Sequence, residues 1–311
     1  MRKLWVAAFL LLPAVAVAQS PPDFSKVEIK VSKVAGNVYM LQGAGGNIAA
    51  SLGDDGVLMV DSEYAPLADK IQAALKGVGV TDKPVRWVIN THYHDDHSNG
   101  NGAWVARGAT IIANDNLRRR LEDTSSIGNG PGGTIHIEQA AQPKAALPMI
   151  TFAEGLTLHF NDEEIRVMHW PAAHTDGDAV VYFAKNHVVH MGDEFVRYGF
   201  PFVDVNGGGS VQGMIAACQK VAEMVPPDTR VIPGHGDLAT VEDLRAYTKM
   251  MEDTTAAVES AISRHESLDQ IKGANTLAAW QKYSGAFVNT NAWIDTIYNS
   301  LRAPKTLPKG N

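Results

Sequence analysis

Short apolar runs and segments of helical spacing alternate along most of the chain. Strand-type runs are predicted at residues 27–31, 38–41, 48–52, 57–60, 85–89, 165–169, 179–183, 187–191 and 229–232. The turn Gly53-Asp54-Asp55-Gly56 joins two of these runs and indicates a β-hairpin. Alternation of strands with helices predicts a layered α/β domain.

Helix boundaries are marked by local signals. A helix is predicted from Pro66 to Gly77, because proline suits a first helical position and glycine suits an end. A second helix is predicted after Thr240, a suitable N-cap residue with Asp243 three positions later. Residues 124–148 and 199–209 are rich in Gly, Pro or polar residues and are predicted to be loops.

The N-terminus has the pattern of a secretory signal peptide. Arg2 and Lys3 precede an apolar stretch at residues 4–17, and small residues favour cleavage after Ala18. This stretch is short for a membrane span, so we predict no stable membrane anchor after cleavage. We therefore expect residues 1–18 to be removed and the protein to be periplasmic or secreted.

Charge and cysteine content exclude some classes of protein. Without Arg2 and Lys3, 25 basic residues face 34 acidic ones, a formal charge of about −9. An acidic chain without a basic stripe is not expected to bind nucleic acid, and a small-molecule partner is favoured. The single cysteine, Cys218, allows no intramolecular disulfide and lies on the apolar face of a predicted helix. The sequence does not indicate the oligomeric state.

The segment Asn90 to Gly102 carries the densest group of titratable residues. It follows a predicted buried strand and has the spacing H-x-H-x-D-H, formed by His92, His94, Asp96 and His97. Neutral imidazoles and carboxylates are ligands for zinc and similar divalent ions. A loop after a strand can arrange closely spaced ligands around a metal, so this segment predicts a metal site.

Three further candidate ligands follow other predicted strands. His174 lies in "PAAHTDGD", Asp193 in "HMGDEF" and His235 in "VIPGHGD". Functional groups of α/β proteins gather at strand ends. We therefore expect these three residues to lie near the H-x-H-x-D-H segment.

These motifs, in this order, resemble the metallo-β-lactamase-fold hydrolase superfamily over about residues 38–251. The resemblance implies a four-layer αββα sandwich in which helices flank two mixed β-sheets, with metals at one edge. It implies a hydrolase domain at residues 19–255 and a C-terminal helical extension, residues 256–311, packed on the same domain.

The resemblance also implies two Zn²⁺ ions, with other divalent metals left open. One ion would be bound by His92, His94 and His174, the other by Asp96, His97 and His235, with Asp193 bridging both. Lactamases of the best-known subclass have cysteine where Asp193 stands, whereas glyoxalase II and lactonase relatives have aspartate. Two-metal sites of this kind have ions about 3.5 to 4 Å apart.

The implied activity is hydrolysis of a carboxylic ester, lactone or amide, with a β-lactam as a main or side substrate left open. Water between two dications loses a proton near neutral pH and becomes the nucleophile. Asp96 would orient it and help to move a proton, and Asp61 is predicted to anchor a ligand-bearing loop.

Two other classes of function remain open from the sequence. Persulfide dioxygenases of the superfamily keep a similar motif but bind one iron at the positions of His92, His174 and Asp193. A non-catalytic metal-binding module is the other. The flavodiiron branch is disfavoured because it has a carboxylate where His94 stands.

The segment after Asp193 supplies the predicted substrate pocket. Tyr198, Phe200 and Phe202 are expected to form an apolar wall, and Arg197 is a candidate anchor for a substrate carboxylate. Lactamases commonly have lysine at the position of Val196, where it holds the carboxylate of the lactam. If the segment is extended, alternation would point Arg197 away from the face that Val196 occupies. We therefore predict weak lactamase activity and better turnover of neutral or aromatic esters and lactones.

Overall fold

The computed structural model describes residues 23–170 and 172–303, and the predicted signal segment lies outside them. The described chain contains these strands: β1 Lys30–Ala35, β2 Val38–Gln42, β3 Ile48–Gly53, β4 Gly56–Val60, β5 Val85–Ile89, β6 Thr110–Asn114, β7 Ser125–Gly128, β8 His136–Gln139, β9 Ile150–Phe152, β10 Gly155–Phe160, β11 Glu163–Met168, β12 Val180–Phe183, β13 Val188–His190, β14 Arg230–Ile232 and β15 Ala239–Thr240. The predicted hairpin is confirmed, because β3 and β4 are antiparallel and Gly53 pairs with Gly56.

These strands form two large mixed sheets. The first has the order β1-β2-β3-β4-β5-β6-β9, in which β4, β5, β6 and β9 run parallel. The second has the order β10-β11-β12-β13-β14-β15, in which β13 and β14 are parallel. Parallel neighbours bring their carboxyl ends to the same edge of a sheet, which is where the candidate ligands follow in sequence.

Helices cover the outer faces of both sheets. The α-helices of the described residues are α1 Ala68–Gly77, α2 Asp95–Ser98, α3 Asn101–Val105, α4 Asp115–Glu122, α5 Val211–Met224, α6 Val241–Ser263, α7 Leu268–Gly273 and α8 Thr290–Arg302, of which α2 lies at the edge where the candidate ligands gather. Thr240 caps α6 with Asp243 in a reciprocal capping box, as the sequence predicted. None of the helices in residues 23–170 and 172–303 is long and apolar enough to cross a bilayer.

Alternating side chains divide the core into layers. Met40 of β2 packs between the two sheets, whereas its neighbours Tyr39 and Leu41 face α1 and α3. In the second sheet, Val181 faces the first sheet and Val180 faces the cluster beneath α5, α6 and α8. The result is the predicted four-layer αββα arrangement.

The predicted loop at residues 124–148 is wrong in part, because β7 and β8 pair there as an antiparallel hairpin. This segment has few apolar residues in alternation, so its pairing depends on contacts beyond the local sequence. Residues 199–209 contain no helix or strand, as predicted.

Cys218 is fully buried on α5. Its thiol donates a hydrogen bond to the carbonyl of Glu194, with a sulfur to oxygen distance of 3.2 Å. Burial raises the pKa of this thiol well above its ordinary value. The structural role predicted from the helical spacing is therefore confirmed.

Candidate metal centre

The candidate ligands lie where strands of the two sheets end. His92 follows β5 and His94 precedes α2, which carries Asp96 and His97. The remaining candidates follow strands of the second sheet: His174 lies after β11, Asp193 after β13 and His235 after β14. The fold therefore brings together all seven side chains that the sequence motifs predicted as ligands.

Their nitrogen and oxygen atoms form overlapping groups in which all atoms lie within 4.8 Å of one another. The groups are His92 with His94 and His174, then His92 with His97 and Asp193, then Asp96 with His97 and His235. The group with His94 and His174 and the group with Asp96 and His235 correspond to the two ligand sets implied by the resemblance.

Asp193 lies between these two sets. Its Oδ1 atom is 3.3 Å from His97 Nε2 and 3.5 Å from His235 Nε2. Its Oδ2 atom lies 3.9 Å from His174 Nε2, in the other set. Gly234 permits this approach, because a Cβ atom there would lie 1.9 Å from Asp193 Oδ1. The two oxygens of one carboxylate thus face different ligand sets.

Acceptor groups fix the orientation of three histidines. Nδ1 of His97 donates to Asp61 Oδ2 at 2.8 Å, and Nδ1 of His174 donates to the Phe202 carbonyl at 2.9 Å. Since these acceptors have no proton to give, the Nε2 lone pairs face the cluster. His94 has the opposite orientation, with Nε2 3.2 Å from Asp204 and Nδ1 facing His174.

Asp61 is positioned by both its backbone and its carboxylate. It is fully buried and has a φ of 69°, in the left-handed region. Oδ1 accepts from the Thr91 backbone N–H at 2.7 Å, and Oδ2 accepts from the Thr91 hydroxyl and His97. Asp61 therefore anchors the loop that carries His92, in the place where the sequence predicted such an anchor.

Asp61→Asn tests this positioning role while keeping a residue that tolerates positive φ. The Thr91 N–H requires the amide oxygen, so the amide NH₂ would face Nδ1 of His97. This contact favours the tautomer with its proton on Nε2, toward the other ligands. We expect metal affinity to fall 10- to 100-fold, measured by competition with a chromophoric chelator.

Asp69→Asn is the matched control, because Asp69 is an exposed α1 residue paired with Arg107. Its metal affinity should equal that of the parent. Unchanged affinity in Asp61→Asn would show that Asp61 does not set the orientation of His97.

The pKa shifts separate buried histidines that stay neutral from carboxylates that stay ionised. Burial and neighbouring histidines lower the pKa of His92 well below its usual value, and burial lowers that of His174 to about 4. Burial disfavours charge on His97 as well, but Asp96 and Asp193 raise its pKa well above the ordinary value. Burial opposes ionisation of Asp193, yet His235 and His97 hold its pKa well below the usual range.

The donor set fits divalent metal ions. His92 Nε2 and Asp193 Oδ1 are buried and have no hydrogen-bond partner among the described residues. Leaving such atoms unpaired is costly, and metal coordination removes this cost. Imidazole and carboxylate ligands suit zinc, and the anionic Asp193 suits a place between two cations.

A cavity of about 710 Å³ lies beside the ligands. Asp96, Tyr198 and Phe202 line it, as predicted for a site with an aromatic wall. The predicted placement of Arg197 and Phe200 in the pocket is wrong. The Arg197 guanidinium lies 3.1 Å from Asp243, away from the cavity, and Phe200 is fully buried against Trp293.

Sequence reasoning missed Asp204 as a positioning residue. It is fully buried, accepts hydrogen bonds from the Tyr93 hydroxyl and two backbone N–H groups, and contacts His94. Its carboxylate therefore joins the segment 199–209 to the metal-ligand loop. A lone aspartate within a Gly-rich loop gives no local signal of this contact.

Comparisons with known sequences agree with this arrangement. The sequence profile of the metallo-beta-lactamase superfamily matches residues 33–235. A hydroxyacylglutathione hydrolase from Polaromonas sp. is 24% identical over 226 residues, covering 71% of this chain and 72% of that protein. An uncharacterized protein from Aquifex aeolicus is 32% identical over 100 residues, 32% of this chain, and the match spans only 46% of its length.

Solved structures show the same fold. A metallo-beta-lactamase from Pontibacter korlensis has a TM-score of 0.58 at 15% identity, covering 72% of this chain and 99% of its own. The DIM-1 metallo-beta-lactamase has a TM-score of 0.58 at 16% identity, and the match covers 73% of this chain and 99% of the DIM-1 chain. With the profile match spanning most of the described residues, the chain belongs to the metallo-beta-lactamase superfamily.

Proposed function

We propose that this protein binds two divalent metal ions, zinc in the cell, and hydrolyses a carboxylic ester, lactone or amide. The observation that carries the proposal is the position of Asp193, whose two carboxylate oxygens face two different ligand sets. A single-metal site would not require the second set. The exported location predicted from residues 1–18 is part of the same proposal.

The seven candidate ligands form two sets, one for each proposed ion. His92, His94 and His174 would hold one ion and Asp96, His97 and His235 the other, with Asp193 shared. Bound metals supply Lewis acidity, which lowers the pKa of water and polarises a substrate carbonyl. Asp61 and the Phe202 carbonyl keep the imidazole lone pairs directed at the site.

Asp96 is placed to orient a water molecule. Its Oδ2 atom lies 3.1 Å from His235 Nε2, and its side chain also borders the cavity. Burial opposes ionisation, but the charge of His97 and the hydrogen bond from His235 bring the pKa of Asp96 to about 2. At neutral pH it is therefore a carboxylate, which can accept a hydrogen bond from a water molecule and orient it beside the ligands.

Metal analysis paired with a substrate screen tests the proposal. Protein purified without added metal is analysed by mass spectrometry, then assayed with and without oxygen on carboxylic esters, lactones, thioesters, phosphodiesters, β-lactams and a persulfide. We expect two divalent ions per chain and oxygen-independent turnover of esters or lactones. One iron per chain, with oxygen-dependent oxidation of a persulfide, would replace this proposal with the dioxygenase alternative.

A further inference from the structure

The mouth of the cavity carries exposed apolar side chains. Ile137 and Phe287 both line it, although 45% and 47% of their surfaces are exposed. Ile137 comes from the β7–β8 hairpin, where it pairs with Ile127, another lining residue. Exposed apolar side chains grouped at one opening indicate a contact surface for an apolar ligand.

Phe287 belongs to a loop before α8, beyond the profile-matched residues 33–235. The loop is closed by a 3.0 Å hydrogen bond from the Gly285 N–H to the Val288 carbonyl. A second bond, from the Phe200 N–H to the Tyr283 carbonyl, ties its start to the segment after Asp193. Val288 is buried, so the loop is held in place while the Phe287 side chain remains accessible.

Ring contacts connect Phe287 to both ligand sets. Its centroid lies 5.6 Å from Phe202, which lies 6.0 Å from His94. It also lies 6.3 Å from Tyr198, which lies 5.9 Å from His235. One aromatic ring thus separates Phe287 from a candidate ligand of each set. If a substrate bond is cleaved at the ligands, a group attached next to that bond can contact Phe287.

The charges around the cavity are acidic. Among the described residues that line it there is no lysine or arginine, and Asp95 lies there beside Asp96. Arg197, in the adjoining segment, is paired with Asp243 outside the cavity. Away from the metals, a substrate carboxylate would therefore meet like charge and no basic partner.

We propose that Phe287 and Ile137 select uncharged esters or lactones that carry an aryl or alkyl group. This inference rests on the proposed hydrolytic function and adds its substrate class. The apolar group packs between Phe287, Ile137 and Phe202 while the scissile carbonyl lies at the ligands. A carboxylate on that group lowers turnover because the lining offers it no cation.

Three methyl esters test the selection: methyl acetate, methyl 3-phenylpropanoate and methyl 3-(4-carboxyphenyl)propanoate. The parent should prefer the phenyl ester to the carboxyphenyl ester by about tenfold or more in kcat/KM. Phe287→Ala and Ile137→Ala should each lower kcat/KM for the phenyl ester, mainly by raising KM. The decrease should be about tenfold for Phe287→Ala. Methyl acetate, which lacks the group, should change less than about twofold.

Met149→Ala is the matched control, because Met149 is an exposed apolar residue that does not line the cavity. It should match the parent on all three esters. Equal losses on methyl acetate and the phenyl ester in Phe287→Ala would overturn the selective role. A parent that prefers the carboxyphenyl ester would overturn the substrate class.

Binding of 4-phenyl-2-butanone, which cannot be hydrolysed, separates this inference from the proposed function. Ligand-observed NMR should give a Kd about tenfold weaker in Phe287→Ala than in the parent or in Met149→Ala. If no ester, lactone or amide is cleaved but this difference is found, the hydrolytic proposal fails and the binding surface stands. Equal affinity in all three proteins would overturn the role of Phe287.

Discussion

In Asp193→Ala protein we expect one of the two metal ions to be lost and kcat/KM to fall on the order of a thousandfold. The physical reason is that both ligand sets lose an anionic oxygen at once, because Oδ1 faces His97 and His235 while Oδ2 faces His174. Mass spectrometry of the purified variant gives metal content, and ester or lactone turnover gives activity.

The fold itself should survive the substitution. Removing Asp193 takes a buried carboxylate out of the protein, and Oδ1 has no hydrogen-bond partner among the described residues. The metal-free variant should still unfold cooperatively, at a somewhat lower temperature than the metal-free parent, because His97 and His235 lose the carboxylate that faces them. Asp228→Ala, an exposed residue beside His187, is the control and should keep both metals. Two ions per chain with undiminished turnover in Asp193→Ala would show that Asp193 is not the bridge.

Local signals account for what the sequence predicted well. The Gly53 to Gly56 turn and the Thr240–Asp243 capping box depend on residues a few positions apart, and both occur as predicted. The ligands were predictable because H-x-H-x-D-H is compact and the other candidates each follow an apolar strand. Parallel strands then bring these ends together, which is a property of the fold rather than of any one motif.

Contacts between distant segments account for what the sequence did not predict. Arg197 pairs with Asp243 on α6, which no local pattern indicates. The loop with Phe287 reaches the cavity from more than 90 positions after Asp193, and the β7–β8 hairpin depends on strand pairing rather than on alternation. The candidate ligands could therefore be predicted from the sequence, whereas the cavity residues that determine substrate selectivity depend on tertiary packing.

Removing the metals should lower stability as well as abolish turnover. A ligand that binds only the folded state stabilises it by about 4 kcal/mol when it is present at a thousandfold over its Kd. For a protein of this size that corresponds to a fall in Tm of roughly 5 to 15 °C on treatment with a chelator. Differential scanning calorimetry before and after chelation, with metal content measured in parallel, gives the shift.

The structure supplies the reason for this dependence on metal. His92 Nε2 and Asp193 Oδ1 are buried without hydrogen-bond partners among the described residues, so the folded state retains their desolvation cost when metals are removed. Adding Zn²⁺ back should restore both Tm and turnover. In Asp193→Ala the chelator should produce a smaller shift, because fewer ions are bound at the start. A parent that loses all metal with no change in Tm would show that the cluster is stable by itself and that its ligands do not depend on cations.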